Sequence, residues 1–237
     1  MTASPAQTTA AMQGPGLGAV RRAGLAVVVV LGPLSITILR GILPYRTTDD
    51  SATMAAKVAE HQTAQTAVLW LTLIAMVTLV PGVIAVGLLA VRRAPRLGTW
   101  GMALAVAGFS LLFATTAIDF TALAGAQSEV GLDATTRILD EMSNSPTQIV
   151  ASVVFVAGHV TGVILVGVAL LRGRVISAWA AWALIASQPL HVVFAVVVPS
   201  NALDTAAWAL TTIGFAAAAA AIGRGSLAQP TVSEVVT

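Results

Sequence analysis

Residues 67–91 read AVLWLTLIAMVTLVPGVIAVGLLAV. No charged side chain interrupts the run. At about 1.5 Å per residue, a helix of this length exceeds the roughly 30 Å of hydrocarbon in a bilayer. Nor does the run alternate apolar and polar residues as a barrel strand does, so it predicts a spanning helix, which satisfies its own backbone hydrogen bonds in lipid.

Five further apolar runs flank it, at about 24–43, 98–124, 149–171, 175–198 and 206–222. The chain is 57% hydrophobic and 9% charged, against about 25% charged residues in an ordinary soluble domain. The fold class predicted is all-α: a six-helix transmembrane bundle. Its isoelectric point of 9.9 does not indicate a nucleic-acid partner. The net charge is only +2 and the arginines are dispersed among short loops, where a nucleic-acid binder gathers them on one face.

Arginine placement predicts the threading. Arg21 and Arg22 precede the first run; Arg92, Arg93 and Arg96 lie between the second and third; Arg172 and Arg174 lie between the fourth and fifth; Arg224 follows the sixth. Basic residues concentrate in short cytoplasmic loops, so both termini are expected in the cytoplasm and the protein in the cytoplasmic membrane. At the opposite ends Arg40, Arg46, Lys57 and Arg137 are diluted by eight acids, among them Asp49, Asp50, Glu60, Asp140 and Asp204. Arg21-Arg22 also resembles the opening of a twin-arginine export signal, but no small-x-small cleavage site follows promptly, and an uncleaved first span is expected. Residues 1–20 and 225–237 are expected to be polar tails, the first of them disordered. With no cysteine in the chain, disulfides, thiolate metal sites and a cysteine nucleophile are excluded.

The two long outer connections carry helix signals. Asp49-Asp50-Ser51 starts one helix leading into the second span, and Asp133 starts another over about 134–142. Asn144-Ser145-Pro146 stops the second; Ser145 as cap and Pro146 in the first turn then open span four. These regions match at an offset of about 80. Gly82-Val-Ile-Ala-Val-Gly87 falls on Gly162-Val-Ile-Leu-Val-Gly167, Arg92 on Arg172, and Lys57-Val-Ala-Glu60 on Arg137-Ile-Leu-Asp140. The charged matches argue for a duplicated hairpin, giving three hairpins as parallel repeats, the third with a shortened outer loop. The stretch Asp50-Ser-Ala-Thr-Met-Ala-Ala-Lys-Val-Ala-Glu-His61, set before span two of a six-span chain, resembles an uncharacterised bacterial family of integral membrane proteins known only as a domain of unknown function. That resemblance implies a helical membrane bundle and carries no activity or site residue.

Charged and imidazole groups at membrane depth are costly and mark candidate sites. Counting about 1.5 Å per residue from the outer ends places Asp119 about 7 Å deep, His191 about 12 Å and His159 about 16 Å. Arg40 lies near the outer end of span one. One reading is an outward-facing polar pocket in which Asp119 pairs with His159 or Arg40, completed by His191 and Gln188. The plainer reading, favoured by the sequence, has Arg40 and Asp119 snorkelling to the interface and each histidine donating to a carbonyl or hydroxyl. His159 and His191 on sequential spans also raise a bis-histidine haem b, though their depths differ. No carboxylate stands three or four residues from either histidine, so a metal site is not expected.

Pro33, Pro81 and Pro189 interrupt spans one, two and five and free the carbonyls of Val29, Val77 and Ile185. They are expected to be kinks, re-satisfied by neighbours such as Thr78 or Ser187. Gly158-x-x-x-Gly162 predicts close helix packing, within the chain in preference to dimerisation, which leaves a homo-oligomer open. Trp70, Trp100, Trp179 and Trp208 are expected as interfacial anchors, with Trp182 slightly deeper. There is no phosphate-cradling loop, no His-Glu-x-x-His and no Gly-x-Ser-x-Gly, so no catalytic residue is assigned. The expectation is a non-enzymatic membrane protein that binds a small or lipidic ligand, or a partner, at its outer face through Arg40, Asp119, His159, His191 and Gln188. The alternatives are a small proton-coupled transporter using the same groups and, more remotely, a haem b electron carrier; no other cofactor is expected.

Overall fold

The computed structural model describes residues 17–224. Among them there is no strand, and six helical stretches are long and apolar enough to cross a membrane. The protein is a multi-pass membrane protein. Span one is α1 (Leu17–Ile42) and span two is α3 (Gln62–Arg93), preceded by the short α2 (Ser51–Glu60). Span three is broken into α4 (Pro95–Ser110) and α5 (Leu112–Ala126). The short α6 (Leu132–Asn144) precedes α7 (Pro146–Arg172), which is span four. Span five is α8 (Ala178–Val192) with a π-helical end, Val193–Val197, and span six is α9 (Asn201–Gly223).

The caps form where the sequence signals them. Asp50 accepts a hydrogen bond from the Thr53 backbone N–H at 2.7 Å and starts α2. Ser145 accepts one from the Gln148 N–H at 3.3 Å, with Pro146 in the first turn of α7. Both satisfy N–H groups that a helix leaves orphaned at its start. Several boundaries differ from the sequence reading, three of them instructively. α1 begins at Leu17, so residues 17–20 are helix rather than tail; residues 1–16 and the tail from 225 lie outside the described residues. α9 begins at Asn201, five residues earlier than expected, because Ser200 caps it through the Leu203 N–H. Span three breaks at Leu111, with no proline present. The prolines inside α1, α3 and α8 leave those helices continuous. Thr78 and Ser187 do donate to carbonyls, but to those of Ile74 and Leu184, not to the freed Val77 and Ile185.

Consecutive spans pack side by side, and span six returns to pack along span one, so the six form a closed ring in sequence order. Several polar contacts hold that closure. Arg40 is paired with Asp204, Thr37 and Thr212 share a hydrogen bond of 2.9 Å, and the Asn201 amide donates to the carbonyls of Leu43 and Tyr45 at 2.9 and 3.0 Å. The tightest seam lies between α4 and α7. Gly101, Ala105 and Gly108 of α4 meet Gly158 and Gly162 of α7, so the two backbones approach closely. The glycine pair is thus used inside the chain. Toward the arginine-rich end Val83, Val86, Ala105, Val163, Val166 and Phe215 fill the middle of the ring. At the other end α2 and α6 pack on each other and on α5, with Met54, Val58, Leu123 and Leu139 buried between them. This is called the capped end below.

A methyl group added at Gly162 would stand 2.2 Å from the Ala105 backbone nitrogen, and one at Gly108 2.3 Å from that of His159, whereas one at Gly24 meets nothing within 4 Å. Overpacking costs roughly 1–3 kcal/mol. Gly162→Ala and Gly108→Ala should each lower the unfolding midpoint in detergent measurably, and Gly24→Ala should not.

Candidate functional site

The ring is not filled at its capped half. A cavity of about 430 Å³ lies there, walled by side chains from all six spans and floored near Leu79, Phe109 and Phe155. Its walls are mainly apolar, including Ile36, Leu39, Leu43, Val68, Leu112 and Ile118. The polar groups gather in two clusters, each built around one carboxylate.

The first carboxylate is Asp204, which has no solvent exposure. A charge in that position needs a partner and further hydrogen bonds to offset its desolvation. The Arg40 Nε of span one donates to Oδ2, and His191 Nδ1 of span five stands 2.5 Å from Oδ1. Arg40 also donates to Thr47 Oγ1 at 2.8 Å. The Trp208 indole nitrogen lies 3.0 Å from the same His191 Nδ1. That nitrogen carries either a proton or a lone pair, so it serves Asp204 or Trp208 but not both together. With Asp204 paired to Arg40 and accepting, Nδ1–H donates to the carboxylate.

The second carboxylate is Asp119 of span three. Its Oδ1 accepts from the Tyr45 hydroxyl and from Gln65 Nε2, the latter at 2.8 Å. Tyr45 belongs to the connection after span one, and its burial, followed by the Asp119 charge, raises its phenol well above the usual value; it stays a donor. At the rim Lys57 Nζ and the Arg46 backbone N–H both reach Asp49 Oδ2, at 2.7 and 2.8 Å. Burial pushes the Asp49 carboxyl up, but the Arg46 N–H and Lys57 outweigh it and hold it below the ordinary carboxylate range.

Of the residues singled out by sequence, Arg40, Asp119 and His191 line this one cavity. The pairing of Asp119 with His159 or Arg40 that the pocket reading raised does not form; Tyr45 and Gln65 bond to the carboxylate instead. His159 is fully buried beneath the floor, its ring against Phe155, Phe109, His191 and Trp208 at centroid distances of 4.5–6.2 Å. Its Nδ1 donates to the Phe155 carbonyl at 2.6 Å, leaving Nε2 as a lone-pair acceptor without a partner. Gln188 is one turn deeper than His191, donating to Thr211 Oγ1 at 2.9 Å and Ser187 Oγ at 3.1 Å. Among the described residues no cluster of three metal-ligating side chains occurs.

Sequence reading missed Asp204, Tyr45, Gln65 and Trp208. Asp204 lies in the first turn of α9, started by the Ser200 cap, rather than in the shortened outer loop of the third hairpin. Trp208 is a correction: it is 3% exposed and lines the cavity, while Trp70, Trp100, Trp179 and Trp182 face outward as anchors do. No family model, curated protein or solved structure matches the chain.

Breaking a buried pair from one side costs roughly 3–5 kcal/mol, because the partner is left uncompensated. Asp204→Asn and Arg40→Gln should each destabilise strongly in a denaturation series, and the double variant should lose much less than their sum. Lys57→Gln, which breaks a partly exposed pair at the rim, should lose under about 1 kcal/mol.

Proposed function

We propose that the protein is a membrane-embedded binder of a small amphipathic ligand, held in the capped-end cavity with its apolar body against the walls and its polar end at the Arg40–Asp204 and Tyr45–Asp119 clusters. The observation that carries this reading is the cavity itself. Its volume lies in the roughly 300–1,000 Å³ range of small-molecule sites, and such sites combine apolar walls with a few convergent polar groups. Burying a carboxylate, an arginine and a histidine together is expensive in a bundle that could have closed on apolar side chains, as its other half does. Arginine placement supports a threading with the capped end outside the cytoplasm and both ends of the chain within it, in the cytoplasmic membrane.

A proton-coupled carrier is less well supported. The polar groups descend from Asp204 through His191 and Gln188 to Ser187 and Thr211, and below them the ring is apolar and closed. Haem b is less well supported too, since the His159 ring already packs against Phe109, Phe155, Trp208 and His191.

Extraction and mass spectrometry of the purified protein should recover one amphipathic molecule per chain. Thr116→Phe, which projects bulk from a buried cavity-lining position, should abolish that recovery while the protein remains folded. If wild type retains nothing, and no amphipath in a detergent-free disc raises its unfolding midpoint, the reading fails.

A further inference from the structure

The cavity has a side as well as a mouth. Gln148, Ser152 and Val156 of α7 line it, and their spacing of four residues makes them one stripe on that helix. Val192, Ala195 and Val196 of span five line it from across the seam. Val156 is 42% exposed and Val196 55%, so both look into the cavity and out to the bundle perimeter at once. The perimeter there is hydrocarbon, since these residues lie inside spans.

The seam is open for a backbone reason. The end of span five is π-helical, with the Val198 N–H bonded to the Val193 carbonyl at 2.8 Å and the Ser200 N–H to the Phe194 carbonyl at 2.9 Å. That wide turn packs back on α8 and α9 and makes no comparable packing with α7. The outer turns of α7 are correspondingly bare: Ile149, Val150 and Val153 are all exposed. π-turns of this kind occur often at functional sites.

At the rim, Arg46 lines the same cavity. Its backbone N–H is bonded to Asp49 and its charge helps to keep that carboxyl ionised, but its guanidinium makes no hydrogen bond or close ion pair among the described residues, in contrast to Arg40 and Lys57. It is a cation placed for an anion at headgroup level.

We propose that the ligand is an anionic phospholipid of the surrounding bilayer. One acyl chain enters sideways between α7 and the π-turn of span five and lies over Phe109 and Phe155, with the headgroup phosphate at Arg46. This rests on the ligand-binding reading above and adds to it the ligand class and the route of entry.

Trp208 supplies the test, because it is buried yet lines the cavity. The full chain is prepared with Trp70, Trp100, Trp179 and Trp182 replaced by phenylalanine, leaving Trp208 as the fluorophore, and reconstituted in vesicles. Brominated acyl chains quench on contact, so bulk lipid does not reach this ring. In vesicles carrying brominated phosphatidylglycerol, Trp208 emission should fall more than twofold relative to unbrominated vesicles. Ser152→Phe and Val196→Phe, which narrow the seam from opposite sides, should each restore it. Brominated phosphatidylcholine at the same fraction should quench less, and Arg46→Gln should remove that difference. Equal emission with and without bromine in the bilayer overturns the proposal. Water-soluble bromohexanoate then separates the failures. If it quenches Trp208, the cavity takes ligands from the capped end and the binding reading stands; if it does not, both readings fall. Equal quenching by the two headgroups overturns the assignment to Arg46.

Discussion

A carboxylate removed from water inside a membrane bundle has to find a cation or lose its charge. Asp204 has no exposure, and its partner is Arg40, at the far end of the chain from it. That one requirement pulls the last span against the first. Six antiparallel helices could lie in a row or a loose cluster; here they return on themselves and enclose a space. Thr37 with Thr212, and Asn201 with the carbonyls after span one, reinforce the closure, but hydrogen bonds between membrane helices contribute little individually, about 0.6 kcal/mol on average. The ion pair dominates because leaving either member alone costs several times more.

The closed ring then divides into two unlike halves. Where glycine and alanine line the α4–α7 seam, the backbones meet and valines with Phe215 fill the centre. Past Gly108 and Gly158 the close glycine contacts between the two helices stop. Span three breaks at Leu111, span five unwinds into a π-turn, and the walls separate around the cavity. Both backbone irregularities fall in the capped half, beside the polar clusters, where a departure from a regular helix borders the cavity on one side. Close packing at one end and open space at the other therefore divide where the glycine-to-backbone contacts of α4 and α7 end.

Much of this was legible in the residues. Length and hydropathy gave every span, arginines gave the alternation of ends, Asp50 and Ser145-Pro146 gave the starts of α2 and α7, and Gly158 and Gly162 gave a close crossing. Arg40, Asp119 and His191 were legible as costly groups, and they do line one space. Their partners were not. Asp119 meets Tyr45 and Gln65, and Arg40 meets Asp204, across sequence separations of 54 to 164 residues, and nothing local encodes such a pairing. Trp208 was misread because a tryptophan near a span end serves an interface or a polar pocket equally well; only the neighbouring His191 decides it. The break at Leu111 has no proline to announce it.

The ring closure is the claim on which the cavity, its clusters and its side entrance all depend. The chain contains no cysteine, so an introduced pair reports without background. Gly41 of span one faces Thr205 of span six: a Cβ added at Gly41 would stand 3.5 Å from the threonine Oγ1 and 3.7 Å from its Cγ2, so cysteines at the two positions would place their sulfurs side by side. Gly41→Cys with Thr205→Cys should form an intramolecular disulfide on mild oxidation in native membranes, seen as a mobility shift reversed by reductant. Two free thiols that stay open to alkylation after the same oxidation would mean that spans one and six do not meet, and would contradict the closed ring.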